Sequence, residues 1–270
     1  VTYHTKGLIL NNQDAGEADV LVTILSEDWG KIYLYAQGIR KVESKLRGHI
    51  QPLLLSRFSF VATRSRWRDS GVEGIANGFR LTGADVIEYF PAIRRHFAAL
   101  ALTRVSGLLV ESLLLEKVSD PILFQYFQSY INLVDQAPHE SKKSTLLFLS
   151  KLMVHLGYEL KTDSCMLCSK KEALRYLSGE AGGVVCASCS WGFKDAFLFP
   201  FHTLAAQPAV AANAGAYTFK LSEADADEAL KALFHFMSWM CHTPLPSFQV
   251  IFGSGTMDRR ETKEFLSFYG

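Results

Sequence analysis

The chain is poor in net charge, in long apolar runs and in catalytic signatures, and each shortage removes a class of protein. Formal net charge is only +1, from 28 Lys and Arg against 27 Asp and Glu, so any electrostatic partner has to be met by a local concentration of charge. No apolar run reaches the roughly eighteen residues that a membrane helix needs. The most apolar segment, Thr145 to Leu156, is interrupted by Lys151 and His155. The first residues, Val1 to Gly7, contain no apolar stretch of the kind a secretory signal uses. There is no Gly-rich lysine loop for a nucleotide phosphate and no GxSxG elbow for a serine nucleophile. What remains is a globular composition, 49% hydrophobic and 20% charged over 270 residues, enough for two modest domains or one large one.

Cysteine is scarce too, but four of the five are placed with a purpose. Cys165-Met166-Leu167-Cys168 and Cys186-Ala187-Ser188-Cys189 are separated by a spacer of 17 residues. Two CxxC pairs at such a separation are the signature of a structural zinc site, because each short turn converges two thiolates on one ion. Gly179, Gly182 and Gly183 permit a tight turn, and Val184-Val185 lead into the second pair, so the spacer is predicted to be a hairpin ending in a knuckle. Four thiolates close the coordination shell and leave no position for an activated water. One structural Zn²⁺ is therefore expected; a doubled redox dithiol is the alternative. Cys241 is unpaired and follows the apolar Phe234 to Met240, where it reads as a small buried packer. This usage suits a reducing compartment.

Charge is unevenly spread. Residues 31–68 carry nine basic side chains, Lys31, Arg40, Lys41, Lys45, Arg47, Arg57, Arg64, Arg66 and Arg68, against the single acid Glu43. A field of one sign over such a window is where a polyanion would dock. Tyr33, Tyr35 and Trp67 lie among these cations and could stack unpaired bases. The tyrosines could equally fill a barrel core, and each Arg taken singly is an ordinary solvated charge. The candidate nucleic-acid contacts are Lys31, Arg40, Lys41, Lys45, Arg47, Arg64, Arg66 and Arg68 with Tyr35 and Trp67.

Taken in order, residues 1–80 read as strands: Lys6 to Asn11, Ala18 to Leu25, Lys31 to Ala36, Leu53 to Thr63 and Val72 to Ala76. The third alternates, with Ile32, Leu34 and Ala36 on one face and Tyr33 and Tyr35 on the other. Five short strands with a basic loop, Gly38 to Gly48, after the third fit a five-stranded OB-fold β-barrel; an SH3-like barrel has the same strand count. From Pro91 the period becomes helical through Ile93, Phe97, Ala101, Val105 and Leu109. Asp120-Pro121 opens a second helix with Asp120 as its cap. Ser144 to His155 is a third, closed by Gly157. Ser222 with Asp225 starts another after a small-residue loop around Pro208 to Gly215, and Thr256 to Tyr269 reads as a last short helix. The expected architecture is thus multidomain α+β: a barrel over 1–80, then an α-helical bundle domain over 81–270 with a four-cysteine zinc-binding insertion at about 160–195.

Three function classes fit these residues. A non-enzymatic nucleic-acid binder follows from the basic barrel and the closed metal site. A metal-dependent nucleic-acid enzyme would need converging carboxylates, for which Asp14, Glu17 and Asp19 in one loop are the nearest candidates. A zinc-containing adaptor would receive an acidic protein tail on Arg94, Arg95 and Arg104.

Several stretches together also resemble a known family. They are Gly7-Leu8-Ile9-Leu10, Gly16-Glu17-Ala18-Asp19, Trp29-Gly30-Lys31, Gly38-Ile39-Arg40-Lys41 and Gln51-Pro52. After them come the double CxxC with Glu180-Ala181-Gly182-Gly183 inside it, and the closing Arg259-Arg260 and Phe265-Leu266. In this order they resemble the RecO family of bacterial recombination mediators. The resemblance implies an OB-fold, a helical domain and a zinc module. It implies DNA repair by recombination: binding of single- and double-stranded DNA, annealing of complementary strands, and work with RecR to load RecA onto strands coated by the single-strand-binding protein SSB, whose tail is a further partner. A cytoplasmic, nucleoid-associated protein without catalytic residues is what it would make.

Overall fold

A computed structural model describes residues 1–41, 43–63, 78–158, 163–199 and 222–241. Contacts divide the chain into two compact units, Val1–Gln136 and Ala137–Gly270.

In the first unit, β1 (Thr2–Asp14), β2 (Val20–Ser26), β3 (Gly30–Ala36), β4 (Leu55–Ala62) and β5 (Phe79–Glu88) form a closed barrel of order β1-β2-β3-β5-β4. The 13-residue β1 serves two neighbours: Thr2 to Leu8 pair with β4, and Gly7 to Asp14 pair with β2. Closure comes from a parallel contact, Leu34 opposite Phe79 and Tyr35 opposite Arg80. Alternation along β3 puts Ile32, Leu34 and Ala36 inside, with Ile9, Val22, Ile24, Phe58 and Phe60. Tyr3, Trp29, Phe60 and Phe79 pack ring against ring, with centroids 4.8–6.2 Å apart.

The fifth strand is a correction. It runs from Phe79 to Glu88, and Val72 to Ala76 lie outside the described residues. Gly83 and Asp85 weaken its strand signal, and two register shifts in its pairing with β4 blur the alternation. The barrel therefore continues past residue 80.

Helices α1 (Pro91–Arg95), α2 (Phe97–Leu113) and α3 (Pro121–Gln136) belong to the barrel's unit, not to a separate bundle. Asp135 accepts from the N–H groups of Ala92 and Ile93, which caps α1. Asp120 caps α3 through Leu123 N–H at 2.9 Å, as the Asp-Pro pair predicts. Helix α2 lies between β1 and α3: a Cβ on Gly107 would meet Leu10 O and Phe127 Cζ, both at 3.7 Å. Its burial on nearly every side follows, including Thr103, Arg104 and Ser106. Past α2 the chain returns to β3, where Lys117 N–H donates to Lys31 O. Gly30 has φ +66°, and a Cβ there would sit 1.9 Å from Val118 O. Only glycine fits that approach.

The second unit contains α4 (Ser141–His155), the strands β6 (Leu174–Ser178), β7 (Gly183–Cys186) and β8 (Phe197–Leu198), the single turn α5 (Ala187–Ser190) and α6 (Glu223–Cys241). The sheet order is β7-β6-β8. Gly157, at φ +84°, ends α4 as predicted. Ser222 Oγ accepts from Asp225 N–H and bonds its carboxylate, the capping pair read from the sequence. Lys142 of α4 meets Asp227 of α6 at 2.8 Å. No helix is long and apolar enough to cross a membrane among the described residues. The expected loop at Pro208 to Gly215, the closing helix at Thr256 to Tyr269 and the side chain of Cys241 lie outside them.

Candidate metal centre and nucleic-acid interface

The candidate metal centre is built by a hairpin and two knuckles. Cys165 and Cys168 sit on the turn ahead of β6, Cys186 ends β7, and Cys189 lies in α5. Backbone bonds fasten the knuckles to the hairpin: Met166 N–H to Val184 O at 2.8 Å, and Ala187 N–H to Ala173 O at 3.0 Å. Cys186 N–H points at Cys165 Sγ, 3.3 Å away. The four Sγ atoms lie within 4.8 Å of one another, and Cys168 Sγ is 3.8 Å from Cys186 Sγ. A tetrahedron with metal–sulfur bonds of about 2.3 Å needs sulfurs about 3.8 Å apart, so the donor set fits one thiophilic ion.

The thiols are also electrostatically prepared. Burial pushes the Cys165 thiol up, but N–H groups of Cys168, Cys186 and Leu167 outweigh it and pull it down to about 6. Bonding to Cys186 and Cys168 pushes Cys189 up to about 12. Four adjacent thiols cannot all ionise alone, and a divalent cation is what would let them. Around them the apolar core is minimal, Cys165, Val185 and Cys186, with Leu174, Tyr176 and Phe193 at its edge. This is the one group of three or more His, Cys, Asp or Glu with ligand geometry among the described residues.

The basic window is less uniform than the sequence suggests. Lys31 is a correction: it is only 7% exposed, and its ammonium donates to Glu111 O at 2.6 Å. It faces α2, with Nζ 5.9 Å from the Tyr33 ring centroid. Burial holds its pKa below the usual lysine range. Lys31 welds the barrel to α2 and does not offer its charge to a polyanion. Tyr33 is half-buried beside it, and burial with Glu111 and Glu116 nearby pushes its phenol up to about 12. Arg104, expected to be an exposed cation for an acidic tail, is buried and donates to Leu10 O at 2.9 Å. Arg94 bonds Tyr89 O and Pro52 O, and Arg95 is exposed.

The loop after β3 carries the exposed charge. Lys41, Lys45 and Arg47 are exposed, with Arg47 in a 3-10 turn, Arg47–His49. Arg40 is exposed but pairs with Asp14 at 2.7 Å. Asp19 was missed as an anchor: its carboxylate accepts from Gly38 N–H at 2.6 Å and from the Tyr35 hydroxyl. With Arg40 N–H donating to Ala18 O, these bonds staple the loop's start to the β1–β2 turn. Tyr35, half-buried, is held by Asp19, and burial with that bond pushes its phenol up to about 12. Asp14 and Asp19 thus hold a loop and do not converge on a cation. The signal was cross-strand register: Leu21 opposes Tyr35, so Asp19 is Tyr35's diagonal neighbour on the outer face. Arg64, Arg66, Trp67 and Arg68 lie outside the described residues.

Comparison with known proteins covers both units. The family model described as "Recombination protein O N terminal" matches residues 1–67, and "Recombination protein O C terminal" matches residues 94–248. A "DNA repair protein RecO" of Syntrophomonas wolfei is 30% identical over 203 residues, 74% of this chain and 75% of that protein. One from Myxococcus xanthus is 29% identical over 199 residues, 73% and 77% of the two chains. One from Geobacter sulfurreducens is 29% identical over 187 residues, 68% and 71%.

Proposed function

The chain belongs to the RecO family of DNA repair and recombination proteins, and from that premise we propose that it is a recombination mediator that acts without catalysing bond cleavage. The barrel is of the OB type; its closure by β3 alongside β5 supports this. Its basic loop grips single- and double-stranded DNA, neutralising phosphates with Lys41, Lys45 and Arg47. The sequence between β4 and β5 adds Arg64, Arg66, Trp67 and Arg68 to the same task. The observation that carries the reading is the exposed cationic loop, stapled by Asp19 and containing Glu43 as its only acid. Screening the repulsion between two strands while leaving their bases free promotes annealing, for which base pairing supplies the free energy. RecR, the SSB tail and, indirectly, RecA are the partners the family implies, in the cytoplasm at the nucleoid. The four cysteines hold one Zn²⁺, which stiffens the second unit and takes no part in chemistry.

The test is annealing of complementary strands coated with SSB, with and without RecR, beside a salt titration of single-strand binding. Replacing Lys41, Lys45 and Arg47 together by Ala should flatten the log–log salt slope by about 2, at about 0.7 for each lost phosphate contact. An unchanged slope and unchanged annealing would remove the loop from the interface. Divalent-metal-dependent cleavage of labelled DNA would replace the mediator with an enzyme.

A further inference from the structure

The barrel has one wall covered by a helix and one left open. Strand β2 is buried on both of its faces. Val20, Val22 and Ile24 fill the interior, and Leu21, Thr23 and Leu25, which point the other way, are buried as well. Helix α2 lies over them: the Glu111 carboxylate accepts from Thr23 Oγ1, and the Glu111 carbonyl accepts from Lys31. In barrels of the OB type the outer face of the second and third strands is the usual platform for an oligonucleotide. Here that platform is under α2.

The open wall runs over the first half of β1, then β4 and β5. Phe58, Phe60, Phe79 and Leu81 point inward, so Arg57, Ser59 and Val61 of β4 and Arg80 of β5 point outward. Arg57 and Arg80 are exposed. Strand pairing sets the outward side chains in rows. Thr2 lies opposite Val61, Val61 opposite Arg80, and Arg80 opposite Tyr35 across the contact that closes the barrel. The next row is His4, Ser59 and Gly83. It is shallow: a Cβ on Gly83 would meet Ser59 Cβ at 3.7 Å and nothing nearer. Neither row contains an acid. A third row sets Arg57 against Asp85, where the two charges offset each other. Arg80 forms no ion pair among the described residues. Tyr35 beside it is tied through Asp19 to Gly38, at the root of the basic loop.

We propose that a single nucleic-acid strand crosses the barrel on this open wall, not over β2 and β3, and that Arg80 holds one of its phosphates. The inference rests on the DNA-binding reading above and gives the strand its path. Arg80 carries the positive charge of Lys41, Lys45 and Arg47 from the loop onto the wall, so the attraction for a polyanion is continuous. An extended strand can lie over Ser59 and Gly83 because nothing there stands up from the sheet. The exposed His4 ring, held by Ser59 Oγ at 2.9 Å, is placed to take an unpaired base.

Binding of the full chain to a fluorescent oligo-dT, read by anisotropy over a salt titration, tests this. Arg80→Ala should lower the log–log salt slope by about 0.7, which at about 0.1 M salt is about a fivefold loss of affinity. Arg80→Lys keeps the charge and should keep the slope. Arg95→Ala removes an exposed cation from α1 and should change neither slope nor affinity. Both positions are exposed, so unchanged circular dichroism is expected of each variant. If Arg80→Ala binds as the wild type does while the joint Ala variant of Lys41, Lys45 and Arg47 is weakened, the DNA-binding reading stands and the path over the open wall is overturned. If neither is weakened, the reading and the path fall together. Equal losses from Arg80→Ala and Arg95→Ala would mean that the strand senses only total charge, and would overturn the path as well.

Discussion

The barrel and the cysteine hairpin solve the same problem with opposite means. The barrel closes on itself, so its strands leave no edge, and its interior is filled by Ile9, Val22, Ile24, Ile32, Leu34, Phe58 and Phe60. The hairpin has three strands, one of two residues; its core beside the cysteines is Cys165, Val185 and Cys186, and Leu177 and Val184 are buried besides. Apolar burial at about 25 cal/mol per Å² has many more side chains to act on in the first than in the second. On the proposed zinc reading one region is stabilised by area and the other by coordination, and that sets what each would tolerate. The barrel can carry a charged loop and withstand its self-repulsion. The hairpin, on the same reading, would need its ion before it has a shape.

Removing the proposed ion should be the largest perturbation available to this contrast. Structural zinc in small peptides is bound with an apparent free energy of about 10 kcal/mol or more, and that energy is folding energy. A stringent chelator, or Cys168→Ser, should abolish hydrogen-exchange protection at Met166 and in β7, while Val22 and Leu34 in the barrel stay protected. Metal analysis should find one zinc per chain before treatment. Loss of protection in the barrel with the hairpin intact would reverse the assignment. The converse perturbation is Phe58→Ala. Phe58 is fully buried in the barrel, and its truncation should cost about 3–5 kcal/mol by leaving a cavity. Denaturant unfolding should show that loss, while zinc content should not change.

The same contrast explains what could be read from the sequence. The four-cysteine cluster was legible because its geometry is local: each CxxC turn places two sulfurs, and the Gly-rich spacer favours the hairpin that joins them. The inner face of β3, Ile32, Leu34 and Ala36, was legible because alternation is a property of neighbours along the chain. Outer faces were not. Lys31, Tyr33 and Tyr35 share the outer side of β3, yet Lys31 is sealed beneath α2, whose residues lie about 80 positions away. Arg104 looks like a solvated charge on a helix, and only the sandwiching of α2 between β1 and α3 shows that it is buried. The fifth strand escaped because Gly83, Asp85 and two register shifts blur the period of two. For Lys31 and Arg104 a distant segment, not the local pattern, decides what meets water.

Glu111 gives the finest test of that buried outer face. Its side chain accepts from Thr23 Oγ1 at 2.9 Å. Burial pushes its carboxyl above the ordinary glutamate value, only partly offset by Thr23, Lys31, Asn11 and Arg104. A raised folded pKa means that the native state holds its proton more tightly than the unfolded chain does. Stability from this group is therefore complete below the unfolded pKa of about 4.3 and is lost as pH rises through the higher folded value. Glu116, the other nearby acid, is exposed. Glu111→Gln can retain the bond from Thr23 but cannot ionise. The difference in unfolding free energy between variant and wild type should thus shift in the variant's favour as pH rises from 4 to 7, and level off once Glu111 is fully ionised. Taking the difference cancels every other carboxylate. A flat difference would mean that Glu111 is as well solvated as a surface acid, and that the seal between α2 and the barrel is looser than the one holding the barrel's interior.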